Sequence, residues 1–261
     1  LWQESLAIYA GGRRYGLEAD AITHGSVRAC VRGSEWPRAL GLFFRGRQHG
    51  FDCDSHKIAI HACAEGAQWQ LALGLLSDMH RCRSDPCAVA HHAALQACAN
   101  SARWNKALGI LRNLWRDGLE ADVMFYNSAI RALKPKGMWR EAFGLLADMR
   151  RLRIKVDVIS YVVAMSVCYH GAKWTAALDM FLEMSRRRLE ADLMVHNIAL
   201  KAHNKCSQWQ QAMGVYSDMK RTSVEPNVHT FNCAVTACEK GSLRSEELGI
   251  HQDMRARGLL D

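Results

Sequence analysis

Val123-Met-Phe-Tyr-Asn-Ser-Ala-Ile-Arg-Ala-Leu133, followed by Lys134-Pro-Lys-Gly137 and then Trp139-Arg-Glu-Ala-Phe-Gly-Leu-Leu-Ala-Asp-Met149, is the stretch that decides the fold. Tyr126, Ala129, Ile130 and Leu133 fall at i, i+3, i+4 and i+7, which is one stripe of an amphipathic helix. Lys134 to Gly137 break that pattern with a proline and a glycine. Trp139, Ala142, Phe143, Leu146 and Met149 then continue at i, i+3, i+4, i+7 and i+10, a second stripe. Arg153 to Asp157 end the unit, and Val158 opens another of the same kind. The stretch therefore predicts two helices joined by a short turn.

The same phrase repeats in both directions. Trp36, Trp69, Trp104, Trp139, Trp174 and Trp209 follow one another at intervals of 33, 35, 35, 35 and 35 residues. Trp2 precedes them by 34, and Arg244 holds the next place in the series. A helix pair cannot bury its apolar face alone, so a sustained period of this length implies stacking on neighbours. The fold class expected is all-α, an α-α superhelix of about seven 35-residue helix-turn-helix repeats. By phase, a partial unit at 1–19 precedes 20–52, 53–87, 88–122, 123–157, 158–192, 193–227 and 228–261, a single array over 1–261. The unit at 20–52 is two residues short, and function is expected along a repeated surface instead of in one pocket.

Recurring positions carry further expectations. Each Trp opens the second helix on its apolar side and reads as a packing anchor. Gly41, Gly74, Gly109, Gly144, Gly214 and Gly249 stand five residues after the Trp position. A mid-helix glycine costs about 1 kcal/mol relative to alanine, so its recurrence suggests a helix approach too close for a methyl group. Cys30, Cys63, Cys98, Cys168 and Cys238 stand six residues before the Trp position, a packing place for a small apolar side chain. No C-x-x-C pair exists among the ten cysteines, so reduced structural thiols are expected and a metal framework is not.

Composition narrows the partners. The net charge is +8 with a pI near 9.1, which favours a polyanion. No apolar run approaches the ~18 residues of a membrane span. The chain begins at Leu1, so it is expected to be a fragment, and a missing targeting peptide says nothing of destination. The H-x-E with C-x-x-C signature of zinc deaminases is absent, and His91 and His92 project from different angles of one helix. No Gly-rich phosphate loop follows a strand, and repeats account for every stretch. The expectation is a binding module: no enzyme, no metal, no cofactor and no small-molecule substrate. His56, His91 and His196 stand where Tyr126 and Tyr161 stand in other copies, which reads as core substitution.

The copies resemble the pentatricopeptide repeat family over essentially the whole chain. The signatures are Asp122-Val-Met-Phe-Tyr126-Asn127-Ser-Ala-Ile130 and Glu225-Pro226-Asn227-Val-His-Thr-Phe231-Asn232. Beside them stand the Trp-x-x-Ala-Leu-x-Leu-Leu-x-x-Met helices and the Gly-Leu-Glu-Ala-Asp turn at Gly118 to Asp122. The Trp-Leu-Gly-Tyr grammar of tetratricopeptide repeats is absent. The resemblance implies a right-handed superhelix whose first helices line a concave face. It also implies single-stranded RNA as partner, at about one nucleotide per repeat, with bases read by the fifth and last residues.

Carried over residue by residue, the readers pair His24 with Asp52, Lys57 with Cys87, and His92 with Asp122. The other pairs are Asn127 with Asp157, Val162 with Asp192, and Asn197 with Asn227, while Asn232 has no clear partner. In the family, Asn with Asp favours uracil and Asn with Asn favours cytosine or uracil, so pyrimidines are expected at the repeats starting at Val123 and Leu193. The remaining pairs depart from familiar combinations and imply no base. The apolar second position, which packs on the base, is held by Ala21, Val89, Met124, Ile159 and Met194, with Asp54 and His229 as departures. The plainer reading of these Asn and Asp residues is that they cap helices and shape turns.

Basic residues recur in two places. Arg81 with Arg83, Arg116, Arg150 with Arg151 and Arg153, Arg186 to Arg188, Lys220 with Arg221, and Arg255 with Arg257 close the second helices, where they complement the helix dipole. Arg32, His170, Lys205 and Lys240 close the first helices and are the better candidates for phosphate contacts. The resemblance further implies a mitochondrial or chloroplast role in RNA stability, processing or translation. The rival readings are a scaffold for protein partners, since stacked helical repeats also bind peptides, and the targeting arm of an RNA-processing enzyme whose catalytic domain lies elsewhere.

Overall fold

The computed structural model describes residues 35–46, 53–81 and 87–259. Trp2, Ala21, His24, Cys30, Arg32, Asp52 and Arg83 lie outside the described residues. Thirteen α-helices and one 3-10 turn make up the described chain: α1 (Trp36–Gly46), α2 (Cys53–Glu65), α3 (Trp69–Arg81), α4 (Ala88–Asn100), α5 (Trp104–Arg116), α6 (Val123–Leu133), the 3-10 turn Lys134–Lys136, α7 (Trp139–Arg151), α8 (Val158–His170), α9 (Trp174–Arg186), α10 (Leu193–Lys205), α11 (Trp209–Arg221), α12 (Val228–Gly241) and α13 (Arg244–Ala256). The class is all-α helical repeat, and none of the described helices is long and apolar enough to cross a membrane.

Contacts divide the chain into two compact units, 1–132 and 133–261. Within the first, α2 packs on α4, and α3 is held between α2 and α4. Within the second, α8, α10 and α12 pack in succession, with α9, α11 and α13 layered beside them. Each unit thus has a layer of first helices and a layer of second helices, with apolar stripes turned towards one another. Tyr126, Ala129, Ile130 and Leu133 are at most 3 % exposed, as their helical spacing predicts. Ala142, Leu146 and Met149 are buried, while Trp139 and Phe143 are half-buried. In the second unit one core joins Leu178, Leu200, Val215, Met219, Phe231 and Ile250, one to two side chains from each helix from α9 to α13.

Two left-handed residues per repeat set the turns. Two residues before the Trp position, Ala67, Ala102, Gly137, Ala172, Ser207 and Ser242 all have φ between 51° and 58°. The next amide donates back five residues, as in Gln68 to Cys63, Arg103 to Cys98 and Lys173 to Cys168. After the second helix, Gly118, Arg153, Arg188, Ser223 and Gly258 are again left-handed, and Leu119, Ile154, Leu189 and Val224 close the same reverse bond. These are Schellman-type ends, which satisfy the last carbonyls of each helix and fix the angle of the next one. Only Gly137 meets the first of these turns with glycine, and there a Cβ would collide with the Gly171 backbone of the next repeat.

The tryptophans pack, but across the repeat boundary. A Cβ on Gly241 would come within 2.8 Å of the Trp209 ring, and one on Gly66 would strike Trp36. Arg103 lies 5.1 Å from the Trp69 ring centre and Lys173 5.6 Å from that of Trp139. Trp36, Trp69, Trp139 and Trp209 therefore rest on the inter-helix turn of the following repeat, half-buried, with a glycine or a cation beneath the ring. This explains why the ring recurs at the repeat period.

One expectation fails. A Cβ added at Gly41, Gly74, Gly109, Gly144, Gly214 or Gly249 would meet nothing within 4 Å. These glycines lie on the open side of the second helices, and no neighbouring helix approaches them. Among the described cysteines, Cys63, Cys98, Cys168 and Cys238 are free thiols and fully buried, the packing place expected of a small apolar side chain. Burial pushes the thiols of Cys63 and Cys168 up to about 12 and that of Cys98 up to about 11, so they stay protonated and unreactive.

Candidate nucleic-acid interface

In each repeat the second and fifth residues sit three apart on the first helix, hence on one face of it. Val89, Met124, Ile159 and Met194, the second residues of four repeats, are 62, 54, 59 and 54 % exposed. Apolar side chains held in water at the same place in successive helices are not required by the fold, because the buried stripe runs elsewhere on each helix. Asp54 and His229, the departures at this position, are exposed as well. Lys57 and Asp54 form an ion pair of 2.8 Å, so the repeat at 53–87 presents a neutralised pair in place of an apolar step.

The fifth residues lie deeper. Asn127 and Asn197 are only 8 and 6 % exposed, Lys57, His92 and Val162 are half-buried, and Asn232 is exposed. The last residues act first as caps, as the plainer reading expects. Asp122 Oδ1 accepts the amides of Met124 and Phe125, and Asp157 Oδ1 accepts both the amide and the hydroxyl of Ser160. Asp192 Oδ1 accepts the Val195 amide. Asn227 and Thr230 form a reciprocal capping box, while Cys87 stands at the equivalent place with no side-chain cap bond.

The proposed pair Asn197 and Asn227 is in direct contact. Asn197 Nδ2 donates to Asn227 Oδ1 at 3.4 Å, and the Thr230 hydroxyl donates to Asn197 Oδ1 at 2.7 Å. The cap of one repeat therefore orients the amide of the preceding one, which defines which edge is donor and which acceptor. His92 Nε2 lies 3.2 Å from the Ser128 hydroxyl, and its ring meets Phe125 edge-on. Burial pushes His92 below its ordinary range against the pull of Asp122, so it serves as a neutral hydrogen-bonding ring.

The candidate phosphate contacts divide. Lys205 is exposed, whereas Lys240 already donates to the Asn204 carbonyl. Partial burial lowers His170, so it is not a standing cation at neutral pH. Several residues closing the second helices are engaged in ion pairs: Arg151 with Asp148 at 3.1 Å, Arg221 with Asp218 at 3.1 Å and Arg150 with Glu183 at 2.8 Å. Two cations on the first helices were not singled out by the sequence. Arg131 and Lys201 stand one turn after Asn127 and Asn197, and their charges are felt by His92 and Cys233 respectively. Their spacing of four from the Asn was the available signal. The described group that could hold a metal is His80, His91 and Asp117, in a cleft lined by none of the second or fifth residues.

Comparison with known proteins agrees with the helix-pair fold. Residues 109–171 match the model described as pentatricopeptide repeat domain, and residues 191–240 match that of the PPR repeat family. No curated protein sequence matches the chain. The crystal structure of the pentatricopeptide repeat protein PPR10 from maize is similar with a TM-score of 0.71 at 19 % identity, over 98 % of this chain and 42 % of that one. PPR10 in complex with an 18-nt psaJ RNA element gives 0.58 at 16 % identity, over 98 % of this chain and 43 % of that one. The PPR domain of Arabidopsis thaliana protein-only RNase P 1 in complex with tRNA gives 0.57 at 14 % identity, over 64 % of this chain and 88 % of that one. The chain thus spans about two fifths of the PPR10 chain, and the likeness fixes the fold as a helical-repeat superhelix. With two stretches matched by family models and helix pairs of this architecture in both units, the chain carries pentatricopeptide repeats.

Proposed function

We propose that this chain binds single-stranded RNA through its first helices, at about one nucleotide per repeat, and acts in RNA stability, processing or translation in a mitochondrion or chloroplast. The observation that carries the reading is the exposed apolar step at Val89, Met124, Ile159 and Met194, with a polar or hydrogen-bonding fifth residue one turn below it in three of the four repeats. A base can lie on the apolar step while its edge meets the fifth residue, and unpaired bases expose both that face and that edge. The oriented Asn197 amide and the neutral His92 ring supply donors and acceptors, and Arg131, Lys201 and Lys205 supply charge for the backbone. Two solved relatives bound to RNA by their descriptions, an 18-nt element and a tRNA, support the reading. The chain itself is read as the binding module, with no chemistry of its own.

The test is fluorescence anisotropy of the purified chain against a labelled single-stranded oligonucleotide and the same sequence as duplex. Preference for the single strand supports the proposal. Equal affinity for both, or binding to neither at low salt, overturns it and favours the reading as a scaffold for protein partners.

A further inference from the structure

Where the repeat at 53–87 meets the one at 88–122, three side chains from three helices converge. His80 lies in the last turn of α3, His91 in the first turn of α4, and Asp117 caps the C-terminal end of α5. His80 Nε2 and His91 Nε2 each lie 3.2 Å from the same oxygen, Asp117 Oδ2, and the three atoms all fall within 4.8 Å of one another. His80, His91 and Asp117 side chains are 42, 1 and 22 % exposed, and a cleft of about 350 Å³ opens onto them.

The hydrogen bonds behind the rings fix what the convergent atoms are. His80 Nδ1 is 2.9 Å from the Leu76 carbonyl, and His91 Nδ1 is 3.3 Å from the Cys87 carbonyl. A carbonyl only accepts, so each Nδ1 carries a proton and each ring turns its Nε2 towards the cluster, where the lone pair can serve a cation. Asp117 presents a carboxylate lone pair to the same point. Three acceptors facing one another need two extra protons or one cation, and a single divalent cation satisfies all three at once. A second carbonyl-bound nitrogen is the usual support of a metal-ligating histidine, because it sets the tautomer and the ring direction. Zinc–ligand bonds of ~2.0–2.1 Å put tetrahedral ligands about 3.3 Å apart, close to the two observed spacings.

Two further observations set this junction apart. Asp117 is an anion at a helix C-terminus, where the helix dipole disfavours it and a cation is the stabilising partner. At the corresponding junction between 123–157 and 158–192, Arg150 lies between Tyr161 and Glu183, so a guanidinium supplies the positive charge there. We propose that His80, His91 and Asp117 form a site for a borderline divalent cation of the Zn²⁺ type, which ties α3, α4 and α5 together. The fourth position opens to water in the cleft, beside Asn113 and Arg116. The cleft is lined by none of the second or fifth residues of the repeats.

The test is titration of the metal-free 261-residue chain with Zn²⁺, and with Co²⁺ as a spectroscopic probe, for the parent and for His80→Ala, Asp117→Asn and the control His251→Ala. His80 and Asp117 are solvent-facing, so both variants should keep the helical circular dichroism of the parent, unlike a change at buried His91. The expected result is one equivalent bound, a rise in Tm on adding Zn²⁺, and affinity falling at least ~10-fold in both variants but not in the control. The Co²⁺ spectrum should lack a thiolate charge-transfer band. Absence of stoichiometric binding, equal affinity in parent and variants, or a strong thiolate band would overturn the proposal, the last by assigning the metal to cysteines.

Discussion

Truncating the apolar steps separates binding from folding. Met124, Ile159 and Met194 are 54 to 59 % exposed, so Met124→Ala, Ile159→Ala and Met194→Ala remove side chains that the fold already leaves mostly in water. Surface changes of this kind alter stability by less than ~0.5 kcal/mol each. In an RNA complex the cost differs. Complete burial of such a side chain contributes about 1.5–3 kcal/mol, and the exposed share that a base would cover is worth roughly 1 kcal/mol. The three losses together amount to about 2–3 kcal/mol, or on the order of 30- to 150-fold in Kd. Anisotropy with a labelled single strand at fixed salt measures this, and urea unfolding provides the stability control. A triple variant that folds normally and binds within about twofold of the parent would refute the idea that these steps carry bases.

Three further outcomes follow from the geometry. Gly74→Ala, Gly144→Ala and Gly214→Ala should each stabilise the chain by up to ~1 kcal/mol in urea unfolding, because the added methyl meets open space; destabilisation would restore the close-approach reading. The buried thiols, raised to about 12, 11 and 12 from an ordinary 9.0, should make stability level below pH 9 and falling above it, since only the unfolded chain ionises in that window; Cys63→Ala, Cys98→Ala and Cys168→Ala together should flatten the fall. If about four phosphates are neutralised, single-strand affinity should fall ~50-fold between 50 and 200 mM salt, and a salt-independent Kd would contradict a backbone-tracking mode.

The helix pairs were legible because burial follows the 3.6-residue period without exception at Tyr126, Ala129, Ile130 and Leu133. The six recurrent glycines misled because a repeated cost invites a packing explanation, and only the three-dimensional surroundings show that no neighbour comes near. The Trp residues were legible as packing groups, yet their partners 30 to 34 residues on, such as Gly66 for Trp36 and Lys173 for Trp139, required the stacking to be seen. At the interface, sequence could not separate two uses of one residue. Asn227 caps a helix in the structure and still accepts a hydrogen bond from Asn197, the preceding repeat's fifth residue, so capping does not exclude the second use. The His80, His91 and Asp117 cluster was out of reach because its members come from three helices; the adjacent pair His91 and His92 drew attention, but His92 turns to Ser128.

The measurement that tests the central claim most directly is selection of bound RNA from a random single-stranded pool, followed by sequencing, for the parent and for an Asn127→Ala, Asn197→Ala variant. The account predicts enrichment of short motifs in which two pyrimidines are separated by one intervening nucleotide, and loss of that preference in the variant. That spacing follows because one repeat, 158–192, lies between the repeats starting at Val123 and Leu193. A pool that emerges unenriched, or an enrichment that the folded variant retains, would contradict it.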